Sequence, residues 1–208
     1  MNRIYELIFL SMTLSVLIYA QDSLKSNITL MDSEEYSIIA TVVKDSYLQK
    51  DTKWFILSNM TTTFECDPPA NTGLNINGSS GMRTQDQSPQ DVYNELASVL
   101  TGLTPELFLD LMSKSEASST INKELPITIK QVIWGPSSST KTLKEDGNPD
   151  FAIYHSRVGF NKDRSLALVY VASVNWKDRS KSYGGYAILK FENSIWKILA
   201  KYRKWSLM

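Results

Sequence analysis

Residues 151–208 hold four apolar runs separated by polar connections, and no other stretch constrains the fold as strongly. The runs lie at about 151–160, 165–174, 183–191 and 195–205. They are rich in Val, Ile, Tyr and Phe, which suit a pleated, half-buried surface. The links Asn161-Lys162-Asp163-Arg164, 175–182 and Glu192-Asn193-Ser194 imply antiparallel neighbours in chain order.

Parity assigns the faces of these strands. In the second run Ala167, Val169 and Val171 share one face, and Leu166, Leu168 and Tyr170 share the other. Both faces are apolar, so this strand is expected at the centre. A two-residue turn at Asn193-Ser194 sets Glu192 opposite Ile195, Phe191 opposite Trp196 and Leu189 opposite Ile198. Lys190, Lys197 and Lys201 then share the wetter face with Ile188 and Leu199. In the first hairpin an even loop aligns Tyr154, Ser156, Val158 and Phe160 with the Ala167 face. His155 and Arg157 then fall on the face of Tyr170. An odd loop exchanges the two sets. The even loop is preferred because it keeps Arg157 off the drier face, where an unpaired charge costs several kcal/mol.

Upstream, residues 34–49 read as a helix carrying Tyr36, Ile39, Val43 and Tyr47, started by Ser33 and acidic Glu34 and Glu35. Residues 53–58 are a short aromatic-apolar strand. Ser88-Pro89 with Asp91 starts a second helix lined by Val92, Leu96, Val99 and Leu100. Thr104-Pro105-Glu106 starts a third, lined by Leu107, Phe108, Leu111 and Met112. Residues 127–134 alternate like a strand and stop at Gly135-Pro136. The turn at 146–150 lacks the later Glu of a calcium loop.

The chain has 208 residues, with 22 basic and 22 acidic side chains. That balance lacks the basic excess of a general nucleic-acid binder, and no nucleic-acid partner is expected. In residues 1–20, Arg3 precedes an apolar run from Leu7 to Ala20, followed by polar Gln21-Asp22-Ser23. The run is too short to span a bilayer and fits a cleaved secretory signal, with an N-terminal membrane anchor as the alternative. The expected mature chain, residues 21–208, is one α+β domain, secreted or periplasmic and free of membrane contact after cleavage. Its single cysteine, Cys66, leaves no internal disulfide. Residues 65–88 read as a long flexible loop rich in Pro, Gly, Asn and Ser. Sequons stand at Asn27, Asn59 and Asn77, in a chain where Asn, Ser and Thr are common.

Chemistry is thinly signalled. The one histidine, His155, would have to serve any Ser-His or Cys-His arrangement, yet Ser156 points to the other strand face. No nucleophile elbow, paired-histidine zinc helix or phosphate loop occurs. No catalytic residue, metal or cofactor is assigned. The polar-aromatic mixture on the wetter sheet face is the better lead. There either His155, Arg157, Tyr170 and Tyr186, with Lys201, line a shallow pocket whose arginine holds a carboxylate or phosphate, or Arg157 stacks on the tyrosines and closes the sheet end. The basic stretch 176–181 is a hairpin tip or a contact patch.

SRVGFNKDRSLALVYV, followed by GGYAILKFENSIWKI and a terminal KW, resembles a group of small secreted proteins of unknown function. The resemblance covers roughly residues 151–206 and implies export, with no activity to carry over. More loosely, a tyrosine-rich strand, a turn and W-K-I is similar to the closing hairpin of cystatin-like and nuclear-transport-factor-like α+β folds. That likeness implies a curved antiparallel sheet around helices, with a pocket. The reading is therefore an exported α+β protein, N-terminal helices packed on a C-terminal four-stranded antiparallel meander. It is expected to be a non-enzymatic binding or interaction module for a small molecule or protein. The alternatives are a small-substrate hydrolase using His155 and a structural envelope protein.

Overall fold

Asp32 sets the start of the first helix. Its Oδ1 accepts the Glu35 backbone N–H at 2.8 Å, and Glu35 Oε2 accepts the Asp32 N–H at 3.0 Å. This reciprocal cap launches α1, Ser33–Ser46, one residue earlier than expected and ending three residues sooner. Ser88 and Thr104 cap α2, Pro89–Val99, and α3, Pro105–Lys114, each with a proline at the first turn, as the sequence indicates. The computed structural model describes residues 31–62, 87–116, 119–134, 149–175 and 177–206. All of them belong to the compact unit Met31–Met208. The expected signal, Cys66, Asn27, Asn77, Trp176, nearly all of the 65–88 loop and most of the 146–150 turn lie outside the described residues.

Among the described residues the architecture is α+β: three α-helices on a seven-stranded mixed sheet. The strands are β1 Trp54–Ser58, β2 Lys130–Trp134, β3 Ala152–His155, β4 Gly159–Phe160, β5 Leu166–Val174, β6 Tyr183–Glu192 and β7 Ile195–Ser206. Their order is β2-β1-β3-β5-β6-β7, with β4 also on β5. The four-stranded meander is therefore only part of the sheet. β1 pairs parallel with both β2 and β3, which corrects a purely antiparallel reading. Trp54-Phe55-Ile56-Leu57 is apolar on both faces and buried throughout, as a parallel strand inside a covered sheet requires. β2 begins at Lys130 rather than 127. The buried Gln131 amide holds Leu125 and Ile127 backbone groups, so the preceding residues form a loop.

Each sheet face is covered. α1 packs Ile39 and Val43 over Phe55, Ile153, Val169, Val171 and Leu189. α2 and α3 pack Val92, Leu96, Leu107 and Leu111 over Ile56, Tyr154, Leu168, Tyr170 and Ile188. Gly159 lies under α3, where an added Cβ would sit 2.6 Å from Leu111 N. The expected wetter face is thus a second core.

Register slips change where charged side chains go. Phe160 pairs with Ala167, as the even loop requires, but His155 pairs with Val171 and Tyr154 with Ala172. One extra residue lies between β3 and β4. It breaks the first expected strand in two, and Ser156 Oγ accepts the Tyr170 N–H at 3.0 Å within the break. In the last hairpin Asn193 and Ser194 adopt φ of 54° and 64°, the mirror-type turn that matches strand twist. Phe191–Trp196 and Leu189–Ile198 pair as expected, but Ile188 pairs with Ala200, leaving Leu199 as an extra residue. Lys201 consequently joins Ala187 on the α1 side, not Lys190 and Lys197 on the other. The slip at Leu199 likewise puts Arg203, opposite Gly185, on the α1 side, and a further shift beside Gly184 and Gly185 leaves Lys204 extra and turns Trp205 to the Tyr170 side.

Candidate functional site

The four residues expected to line a pocket are all enclosed: His155 is 0% exposed, Arg157 5%, Tyr170 0% and Tyr186 1%. The sheet also separates them into pairs. His155 and Arg157 face α1, while Tyr170 and Tyr186 face α2 and α3. Arg157 is not on the tyrosine face, because the extra residue in the β3–β4 break turns it over. There it meets the capping residue of α1. Arg157 Nε and Nη2 donate to Glu35 Oε1 and Oε2, both at 2.9 Å. Nη1 donates to Ser119 Oγ at 3.2 Å, and Val158 N–H adds 3.0 Å to Glu35 Oε1. Both charges are buried, bidentate and hydrogen-bonded on their remaining atoms.

His155 lies beside this pair. Its Nδ1 is 2.8 Å from the Ser156 carbonyl, so Nδ1–H donates and Nε2 carries the lone pair. Nε2 has no partner among the described residues. Burial pushes the His155 pKa down to about 4, with Arg157 adding to the shift and Glu35 and the Ser156 carbonyl opposing it. Ser156 Oγ donates to the Arg157 carbonyl at 2.6 Å, so Ser156 and His155 form no nucleophile–base pair. On the other face Tyr170 and Tyr186 meet edge-on at 5.2 Å, and Trp205 Nε1 donates to Tyr170 Oη at 2.7 Å. Burial raises the Tyr186 phenol well above its usual range. Among the described residues no three metal-ligating side chains come together, and no helix is long and apolar enough to cross a membrane.

An open concavity among the described residues lies at the C-terminal end of α1. Two hollows of about 440 and 300 Å³ meet there and share Ser46, Tyr47, Tyr183 and Arg203. Tyr47 Oη donates to the Val171 carbonyl at 2.8 Å, anchoring the ring on β5, and Tyr183 Oη donates to the Ser46 carbonyl. The two rings stack at 4.8 Å and 25°. Burial raises both phenols, more strongly at Tyr47. Arg203 lays its guanidinium over Tyr183, 4.3 Å from the ring centre. It has no carboxylate partner among the described residues.

The larger hollow continues toward the 175–182 connection. Its walls carry two ion pairs, Lys177–Asp150 at 2.9 Å and Lys181–Asp178 at 3.4 Å. Burial raises the Asp150 carboxyl, but hydrogen bonds from Lys177 and from the Lys53 and Trp54 N–H groups outweigh it and hold it low. Ser173 lines the hollow while only 3% exposed. Lys177, Asp178, Ser180 and Lys181 of the basic stretch therefore line one wall of a groove.

Comparison of the chain with protein-family models, curated proteins and solved structures gave no match.

Sequence reasoning missed Tyr47, Ser173, Tyr183 and Arg203. Tyr47 was legible as a helix-face aromatic and Tyr183 as the first residue of a strand. Arg203 was not, because its face depends on the extra residue Leu199 in β7.

Proposed function

We propose that this is an exported, non-enzymatic binding module that holds a small molecule bearing an anionic group at Arg203. One observation carries the reading: a guanidinium stacked on Tyr183, without a carboxylate partner among the described residues, on the wall of a 440 Å³ hollow. Stacking holds the guanidinium plane and leaves its N–H edge for a planar anion. A hollow of this size lies within the range of small-molecule sites. Export is supported by the apolar run before Ala20 and the polar residues that follow it.

Ligand-observed NMR with acetate, benzoate and inorganic phosphate tests the site. At least one should bind the full-length chain, and Arg203→Ala should abolish that binding without altering the circular dichroism. Binding that survives Arg203→Ala contradicts the assignment. For export, N-terminal sequencing of protein expressed with its leader should begin near Gln21; an intact Met1 on membrane-associated protein would favour the anchor instead.

A further inference from the structure

The charges of the larger hollow are balanced and mostly committed. Lys177, Lys181 and Arg203 line it, and so do Asp51, Asp150 and Asp178. Lys177 is paired with Asp150, and Lys181 with Asp178. One cation and one anion remain without an ion-pair partner among the described residues: Arg203 and Asp51. A ligand with several negative charges would meet one available cation and three carboxylates. A ligand with one charge of each sign meets one uncommitted partner of each sign.

Two further features point the same way. Asp51 sits in the turn after α1, which the Thr52 N–H bond to the Gln49 carbonyl closes at 3.1 Å, and it lines the groove there. Ser46 and Tyr47 bring the C-terminus of α1 to that wall, and the helix dipole there favours a positive group. Between the walls lies Ser173, a hydroxyl-bearing residue that lines the hollow. Its backbone position is fixed between Ile153 and Tyr183 in the sheet.

We infer that the groove takes a small zwitterion of the α-amino acid class, its carboxylate on Arg203, its ammonium toward Asp51 and the C-terminus of α1, and a polar atom on Ser173. This rests on the assignment of the anion seat to Arg203. It adds that the ligand must carry a cation as well.

The probes are the full set of protein amino acids, together with the deaminated and decarboxylated analogues of any that bind, titrated into the full chain by calorimetry. An amino acid should bind, and each analogue should bind about tenfold or more weakly. Arg203→Ala and Asp51→Asn should each weaken the amino acid to a similar degree, and Ser173→Ala by a few-fold. Both charged side chains are exposed, so the variants should keep the wild-type circular dichroism and melting curve. If the deaminated analogue binds as tightly as its parent and Asp51→Asn has no effect, the zwitterion is wrong and the anion seat stands. If no amino acid binds while acetate or phosphate does so through Arg203, the zwitterion is again wrong and the anion seat again stands. If nothing binds, both assignments fall.

Discussion

Arg157 and Arg203 both lie on the α1 side of the sheet, at opposite ends of that helix, and they have opposite roles. Arg157 is buried against a carboxylate that also caps α1 and takes a backbone N–H. Arg203 rests on an aromatic ring and meets no carboxylate among the described residues. The first arrangement leaves no donor geometry for a ligand, and removing either partner strands a charge in the core. The second is held by a contact worth about 0.5–1 kcal/mol at an exposed site, which keeps the side chain oriented without satisfying it. A buried arginine with a full set of partners is part of the architecture. A stacked one with an open edge is available for binding.

The comparison breaks most severely at Glu35. Glu35→Ala or Arg157→Ala should cost about 3–5 kcal/mol in urea-unfolding measurements, since each leaves an uncompensated buried charge. A loss below about 1 kcal/mol would mean that the pair is dispensable. His155 gives the next effect. Its pKa is about 4 in the fold against 6.5 in the free side chain, so between those values the unfolded chain binds more protons. Stability is therefore full above pH 6.5 and falls as the pH drops toward 4, by about 3 kcal/mol in all. Denaturation curves across that window should show the loss, and His155→Gln should flatten it. At the other end of α1, Tyr183→Leu removes the stack on Tyr47 and the bond to Ser46, and should cost roughly 1–2 kcal/mol. Smallest of all, Arg203→Ala should change stability by no more than about 0.5 kcal/mol while removing anion binding. Comparable stability losses for Arg157→Ala and Arg203→Ala would erase the distinction.

Much of the fold was legible because local signals agree with the tertiary structure. Ser88-Pro89 and Thr104-Pro105 place two helices, and Asn193-Ser194 places the last turn with its facing pairs. The parallel strands were legible only as short apolar runs, because strand partners distant in sequence leave no local mark. The site was harder to read for a different reason. Parity assigns faces only along an unbroken strand, and this sheet slips by one residue in the β3–β4 break, at Leu199 and at Lys204. An unpaired buried charge is costly, which argues for placing Arg157 away from the core. The principle holds, but Glu35, 122 positions away, supplies the missing partner. Reading residues 34–49 as an isolated helix made Glu35 a first-turn acid and nothing more.

The extra residue in β7 has a consequence for how this chain can change over evolutionary time. Loss of the single codon for Leu199 would remove no side-chain hydrogen-bonding group and no charge. It would nevertheless reverse the side of the sheet on which every later residue of the strand emerges. Arg203 would then point toward the helix pair, and Tyr202, which now reaches Glu95 there, would point into the groove. The groove's chemistry thus depends on a count of residues as much as on their identity, and a length change at an exposed leucine can abolish it with every groove side chain still encoded.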